Sequence, residues 1–165
     1  MRNLLTFFMG VTLLFAADAP RRAPGFSLPD GKGAEHDLAD YRGKVVLLAF
    51  TQTTCPHCAT FADKLQQVHQ KYGDRVVVMA VVDPPDDPAK VAAYIQGHKL
   101  TYPILFDCGQ MAYSYVLTPN LQYPRVFLID SAGMIRADHQ YSPLTAEIFE
   151  GKGLEQAIAL LLNGH

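Results

Sequence analysis

Two cysteines separated by two residues are the side chains of this chain best suited to chemistry. Cys55 and Cys58 enclose Pro56 and His57, in the order Cys-Pro-His-Cys. A disulfide between these cysteines would close only a short loop, which removes little chain entropy and makes a poor structural staple. The pair is better suited to thiol–disulfide exchange, in which a thiolate attacks a disulfide sulfur and forms a mixed disulfide. The spacing therefore predicts a redox-active pair.

The surroundings of the pair predict a different role for each cysteine. Cys55 falls between a buried strand and a long helix, and Pro56 suits the first helical turn, where its missing N–H costs nothing. Cys55 would then lie beside free N–H groups and the positive end of the helix dipole, which stabilise a thiolate. His57 adds a second donor or cation near this sulfur. We therefore expect Cys55 to attack and Cys58, one turn further on, to resolve the mixed disulfide.

Zinc binding is the main alternative use of this spacing. A structural zinc site normally needs four ligands and a second close pair. The third cysteine, Cys108, stands alone, and the six histidines are scattered along the chain. The sequence therefore predicts no metal and no cofactor beyond the Cys55–Cys58 disulfide itself. Cys108 is interpreted as a small buried residue, with a resolving or interchain role as the alternative.

The elements that would position the pair alternate between apolar strands and helices. Strands are predicted at 45–51, 75–82, 103–106 and 126–129, with a hairpin partner at 134–139 and an extended arm at 20–29. Helices are predicted at 55–72, 87–98, 111–116 and 154–162. Apolar runs without alternation indicate strands covered on both faces, and crossover helices make neighbouring strands parallel. The predicted class is α/β, with helical N-termini gathered at the carboxyl edge of the sheet.

The start of the chain predicts export. Arg2 precedes an apolar stretch from Leu4 to Phe15, and small residues follow up to Ala19. A positive start, an apolar run of this kind and a small-residue end are typical of a secretory signal peptide. We therefore expect a signal peptide at 1–19 and one domain at 20–165, in the bacterial periplasm or another extracytoplasmic place. The alternative is an uncleaved membrane anchor, although a span needs about 20 residues.

Charge limits the kinds of partner. The net charge is −2, and no basic block is long enough to follow a phosphate backbone. Nucleic acid is therefore not expected as a partner.

Four segments together resemble the TlpA/ResA-type thioredoxin-like proteins, which are related to the AhpC/TSA group. They are Ala23–Leu28, Gly43–Phe50, Cys55–Cys58 and Tyr123–Asp130, in the family's order. The resemblance implies a thioredoxin-like fold, with a central mixed sheet flanked by helices on both faces and an inserted helix–strand unit. It also implies exported disulfide exchange with protein thiols and an electron-transfer partner. Pro124 would be the family's cis-proline, leaving the Tyr123 backbone exposed to pair with a substrate strand.

The chain departs from that family at three positions. Thr54 stands where the family carries a tryptophan, Ala49 where thioredoxin carries a buried acid, and Phe61 where ResA-type proteins carry a glutamate. The resemblance assigns such an acid the proton of the buried thiol, so its absence leaves His57 or water for that proton. The Cys-Pro-His-Cys tetrapeptide resembles that of the disulfide-forming oxidase DsbA, which implies a comparatively stable reduced form. The direction of electron flow stays open.

Two other functions fit parts of the pattern. A peroxiredoxin-like peroxidase is one, but its Pro-x-x-x-Thr-x-x-Cys motif is interrupted by Leu48 and Gln52, and Pro124 stands about where peroxidases carry an arginine. A copper or zinc chaperone using the cysteine pair with a histidine is the other.

Overall fold

Eight strands, five α-helices and two short 3₁₀ helices (Leu38–Tyr41 and Gly73–Arg75) lie in residues 20–117 and 120–163, the part of the chain that this computed structural model describes. The strands are β1 (Arg21–Arg22), β2 (Ser27–Pro29), β3 (Glu35–Asp37), β4 (Val45–Phe50), β5 (Val76–Val82), β6 (Ile104–Phe106), β7 (Arg125–Ile129) and β8 (Met134–Gln140). The helices are α1 (Pro56–Tyr72), α2 (Pro88–His98), α3 (Gln110–Tyr115), α4 (Ala146–Phe149) and α5 (Lys152–Asn163). The predicted signal peptide at 1–19 lies outside the described residues. Within those ranges, no helix is long and apolar enough to cross a membrane.

Six of the strands form one mixed sheet, in the order β1-β8-β7-β4-β5-β6. β4, β5 and β6 are parallel, whereas β7 runs antiparallel to both β4 and β8. β2 and β3 form a separate two-stranded hairpin. The strand β6 extends the sheet beyond β5, and the helix α2 connects these two strands. The α2–β6 unit corresponds to the helix–strand insertion that the resemblance implies. The predicted mixed sheet is confirmed.

The central strand β4 separates two apolar layers. All six of its residues are buried, and alternate ones belong to opposite layers. One layer contains buried residues of α1, α2, α4 and α5, and the other contains buried residues of α3. A strand covered on both faces needs apolar residues at every position. This explains why the run at β4 lacks alternation, and it confirms helices on both faces.

The helix α1 places the cysteine pair. Phe61, Leu65 and Val68 are buried at spacings of four and three, so one face of the helix packs on the sheet. The helix ends at Gly73, which takes a positive φ of 53° and donates its N–H to the carbonyl of His69. The strand β4 ends at Phe50 and α1 begins at Pro56. The cysteine pair therefore lies just beyond the carboxyl end of β4, as the sequence predicts.

Some elements differ from the sequence-based expectation. The arm at 20–29 contains two strands, because Arg21 pairs with Ile135 of β8 and β2 pairs with β3. The strand β3 and the four-residue helix α4 were not predicted, since both are too short to show a hydrophobic period. The last helix begins at Lys152, two residues earlier than expected.

Candidate redox site

Cys55 caps the N-terminus of α1. Its backbone is extended, with φ −89° and ψ 118°, and Pro56 occupies the first helical turn. The Sγ atom of Cys55 accepts a hydrogen bond from the backbone N–H of Cys58 at 3.3 Å. Cys55 is partly exposed. An accessible sulfur that faces helical N–H groups and the positive end of the dipole is suited to carry negative charge.

Cys58 is the buried member of the pair. Only 1% of this residue is exposed. Burial, and next the hydrogen bond with Cys55, raise the pKa of the Cys58 thiol to about 12. The thiol therefore keeps its proton while the outer sulfur is exposed to a reaction partner.

Tyr94, which sequence reasoning missed, connects the helix–strand insertion to the cysteine pair. Its hydroxyl donates to the carbonyl of Cys58 at 3.0 Å, and burial raises the pKa of Tyr94. The hydroxyl therefore stays protonated and serves as a donor. The sequence signal was only that Val91 and Tyr94 share a face of α2, which is typical of core packing.

The loop before β7 faces the outer cysteine. The Tyr123–Pro124 peptide bond is cis, as the resemblance implied. The Cys55 thiol lies 4.0 Å from the carbonyl oxygen of Tyr123, the outer limit of a sulfur hydrogen bond. Tyr123 is anchored at its other end, because its hydroxyl donates to Asp83 at 2.8 Å. Burial, and next that hydrogen bond, raise the pKa of Tyr123.

Two aspartates that follow β5 accept hydrogen bonds from residues around the cysteine pair. Asp83 holds Tyr123, and Asp86 accepts hydrogen bonds from the backbone N–H of Thr53, at 2.8 Å, and from its hydroxyl. The next aspartate, Asp87, caps α2 by accepting from the Lys90 N–H, whereas Asp83 and Asp86 hold Tyr123 and Thr53 at the site. Their position at the carboxyl end of a central strand was the signal that could have found them.

His57 is exposed, and its ring stacks on that of Tyr141, a residue far from it in the sequence. The imidazole lies over the Tyr141 ring, with the two centroids 4.0 Å apart and 21° between the planes. Tyr141 comes from the segment after β8 and was not among the predicted site residues. No local sequence pattern marks it, because the contact joins separate parts of the fold.

In the described part of the chain, neither Cys108 nor Arg125 forms a hydrogen bond with the cysteine pair. Cys108 is exposed, so the expectation that it is buried is wrong; it follows the edge strand β6 and faces solvent. Arg125 is 7% exposed and donates to both carboxylate oxygens of Asp138 at 2.7 Å, so it is part of a buried ion pair. Ala49 and Phe61, at the two positions where the related proteins carry an acid, are both buried and belong to the apolar core.

No cluster of three or more potential metal ligands occurs in the ranges that the structure describes.

A strand–helix–strand unit with Cys-x-x-Cys at its helix start, next to a cis-proline before an antiparallel strand pair, defines a thioredoxin-like protein. A family model described as the AhpC/TSA family matches residues 20–138. The chain belongs to the AhpC/TSA family.

Relatives and solved structures agree with this class. Thioredoxin-like protein YneN of Bacillus subtilis is 31% identical over 121 residues, which are 72% of this chain and 69% of that protein. Thiol-disulfide oxidoreductase ResA of Geobacillus thermodenitrificans is 35% identical over 118 residues, 69% of this chain and 64% of that protein. The match to ResA thus spans just under two thirds of its length.

A crystal structure of a candidate thiol:disulfide interchange protein DsbE from Chlorobium tepidum superposes with a TM-score of 0.75 at 27% identity. The match covers 90% of this chain and all of that one. The predicted thioredoxin-like fold is therefore confirmed.

Proposed function

We propose that the protein is an exported thiol–disulfide oxidoreductase that exchanges disulfides with protein thiols through Cys55 and Cys58. The observation that carries the proposal is the asymmetry of the pair. Cys55 is accessible at a helix N-terminus, whereas Cys58 is buried and its pKa is raised to about 12. The relatives named thiol-disulfide oxidoreductase and thiol:disulfide interchange protein support the same activity.

The chemistry needs no group beyond the two sulfurs. When the pair is oxidised, a substrate thiolate attacks Cys55, the Cys55–Cys58 bond breaks, and Cys58 leaves and takes up a proton. A second substrate thiolate then attacks the substrate sulfur of the mixed disulfide, and Cys55 leaves as a thiolate. The substrate loses two electrons and the pair gains them. The reverse sequence reduces a substrate disulfide.

Pro56, His57, Tyr123 and Pro124 support the pair in this proposal. Pro56 begins the helix that presents its N–H groups to Cys55, and His57 stands between the two cysteines with its exposed imidazole. The Tyr123 carbonyl lies beside the Cys55 sulfur, where it is placed to pair with the extended backbone of a substrate. His57, together with apolar Ala49 and Phe61 in place of acids, favours oxidation or isomerisation over reduction.

Export is part of the proposal because of residues 1–19. Their positive start, apolar run and small-residue end are typical of a secretory signal. In an extracytoplasmic compartment, cysteines are paired or redox-active, and a second electron-transfer protein would restore the pair after each cycle.

Replacing Cys58 by serine should trap substrates. With the resolving sulfur gone, the mixed disulfide formed at Cys55 has no internal sulfur to release it. We expect discrete adducts on non-reducing gels after affinity purification from the native host, and reducing agent should release them. The matched control is the Cys55→Ser/Cys58→Ser double variant, which keeps Cys108. Adducts of equal intensity in the double variant, or none in either, would contradict the proposal.

The reduction potential of the pair should depend on pH. Because the pKa of Cys58 is raised to about 12, reduction takes up at least one proton throughout the neutral range. A rise in pH therefore disfavours the reduced form. The potential should fall by at least about 30 mV per pH unit, which is a tenfold change in the equilibrium constant of a two-electron couple. Equilibration in glutathione buffers at several pH values, followed by thiol labelling, measures the slope; a flat profile would show that Cys58 is ionised.

A further inference from the structure

The His57 imidazole is held against one side of α1. His57 is exposed, and an exposed side chain normally exchanges between staggered rotamers. Here its ring stacks on Tyr141 at 4.0 Å. The contact restricts the imidazole to the side of the helix on which Tyr141 lies.

Tyr141 is itself fixed from two directions. Its backbone N–H donates to the carbonyl of Pro124 at 2.9 Å, so its main chain follows the loop that faces Cys55. Its ring packs edge-on against Phe149, with centroids 5.6 Å apart, and Phe149 packs edge-on against Phe61 of α1 at 4.8 Å. Because Phe61 and Phe149 are buried, the Tyr141 ring is supported by the core.

We propose that Tyr141 is a positioning residue, which fixes His57 beside the Cys55–Cys58 pair on the side of the Pro124 loop and shifts the pair toward its reduced form. The inference rests on the proposed function of the pair. Aromatic stacking adds to simple burial, so the contact with Tyr141 favours one position of the imidazole ring.

The effect is selective for the reduced form because of where charge develops. Two electrons from a dithiol, or from two glutathione molecules, break the Cys55–Cys58 bond. Cys58 takes up a proton, and Cys55 is released with a negative charge toward which the His57 ring can donate a hydrogen bond. The oxidised pair carries no such charge. A ring that is ordered in advance therefore stabilises the reduced pair more than the disulfide.

The equilibrium constant with glutathione tests this effect. Tyr141→Leu removes the aromatic face but keeps apolar bulk against Phe149, and Tyr141→Phe keeps the face. We expect Tyr141→Leu to lower the constant for reduction about two- to fivefold, equivalent to about 10–20 mV toward more negative potential. Tyr141→Phe should restore a constant close to that of the wild type.

A double-mutant cycle separates positioning from packing. In a His57→Ala background, Tyr141→Leu should have no further effect on the constant, because the imidazole is absent. The proposal is overturned if Tyr141→Leu matches the wild type, or if it shifts the constant equally in both backgrounds. Thermal unfolding measures packing loss separately, since a general loss lowers the stability of both redox forms alike.

Failure of the proposed function would look different from failure of this inference. Both tests use a Cys108→Ser background, because Cys108 is exposed and would itself react with glutathione. If Cys55 and Cys58 were not the redox pair, formation of an intramolecular disulfide between them would not depend on the glutathione ratio. If only the role of Tyr141 were wrong, that disulfide would form as expected and Tyr141→Leu would leave the constant unaltered.

Discussion

Replacing Cys55 by serine should lower thiol–disulfide exchange to the rate observed without protein. Cys55 is the accessible sulfur of the pair, and Cys58 is buried, so no second thiol of the site can take its place. A serine hydroxyl neither forms a disulfide nor ionises near neutral pH. Turbidity from the reduction of insulin by dithiothreitol, and oxidation of a reduced dithiol peptide, measure the two directions of exchange.

Cys108→Ser is the matched control for that loss. Cys108 is exposed and therefore chemically accessible. It follows the edge strand β6, and in the described residues it forms no hydrogen bond with Cys55 or Cys58. We expect the Cys108→Ser variant to keep wild-type rates in both assays. Substantial activity in Cys55→Ser, or an equal loss in Cys108→Ser, would contradict the assignment of the reaction to Cys55.

Replacing Phe61 by alanine or glutamate should be the most destabilising change near the site. Phe61 is 1% exposed and packs edge-on against Phe149. Truncation of a buried phenylalanine to alanine costs about 3–5 kcal/mol of unfolding free energy. Glutamate removes the same contacts and also buries a carboxyl group, so its cost should be at least as large. Urea denaturation followed by circular dichroism measures both.

Leu160→Ala provides the control for the Phe61 variants. Leu160 lies on α5 and is 69% exposed, so its loss should change stability by no more than about 0.5 kcal/mol. A Phe61→Glu variant as stable as the wild type would show that this position accepts the acid of the ResA-type proteins. The expected loss would show instead that the chain uses the position for its core.

The core of the fold and the cysteine pair could be predicted from local patterns. β4 and β5 are continuous apolar runs, α1 has buried residues at helical spacing with Gly73 at its end, and Pro56 marks its first turn. Each of these signals depends on residues that are neighbours in the chain. The resemblance added the cis-proline at Pro124, which the pattern of residues alone did not contain.

The partners around the pair were decided only by the tertiary structure. Thr53 meets Asp86, 33 residues away, and Tyr123 meets Asp83, 40 residues away. Such contacts depend on which strands lie side by side, and not on propensity or hydrophobic period. The exposure of Cys108 has the same origin, because β6 is an edge strand only through the order of strands in the sheet. The Cys-Pro-His-Cys sequence by itself determined what the site can do, whereas the fold decided what holds His57 and the two sulfurs in place.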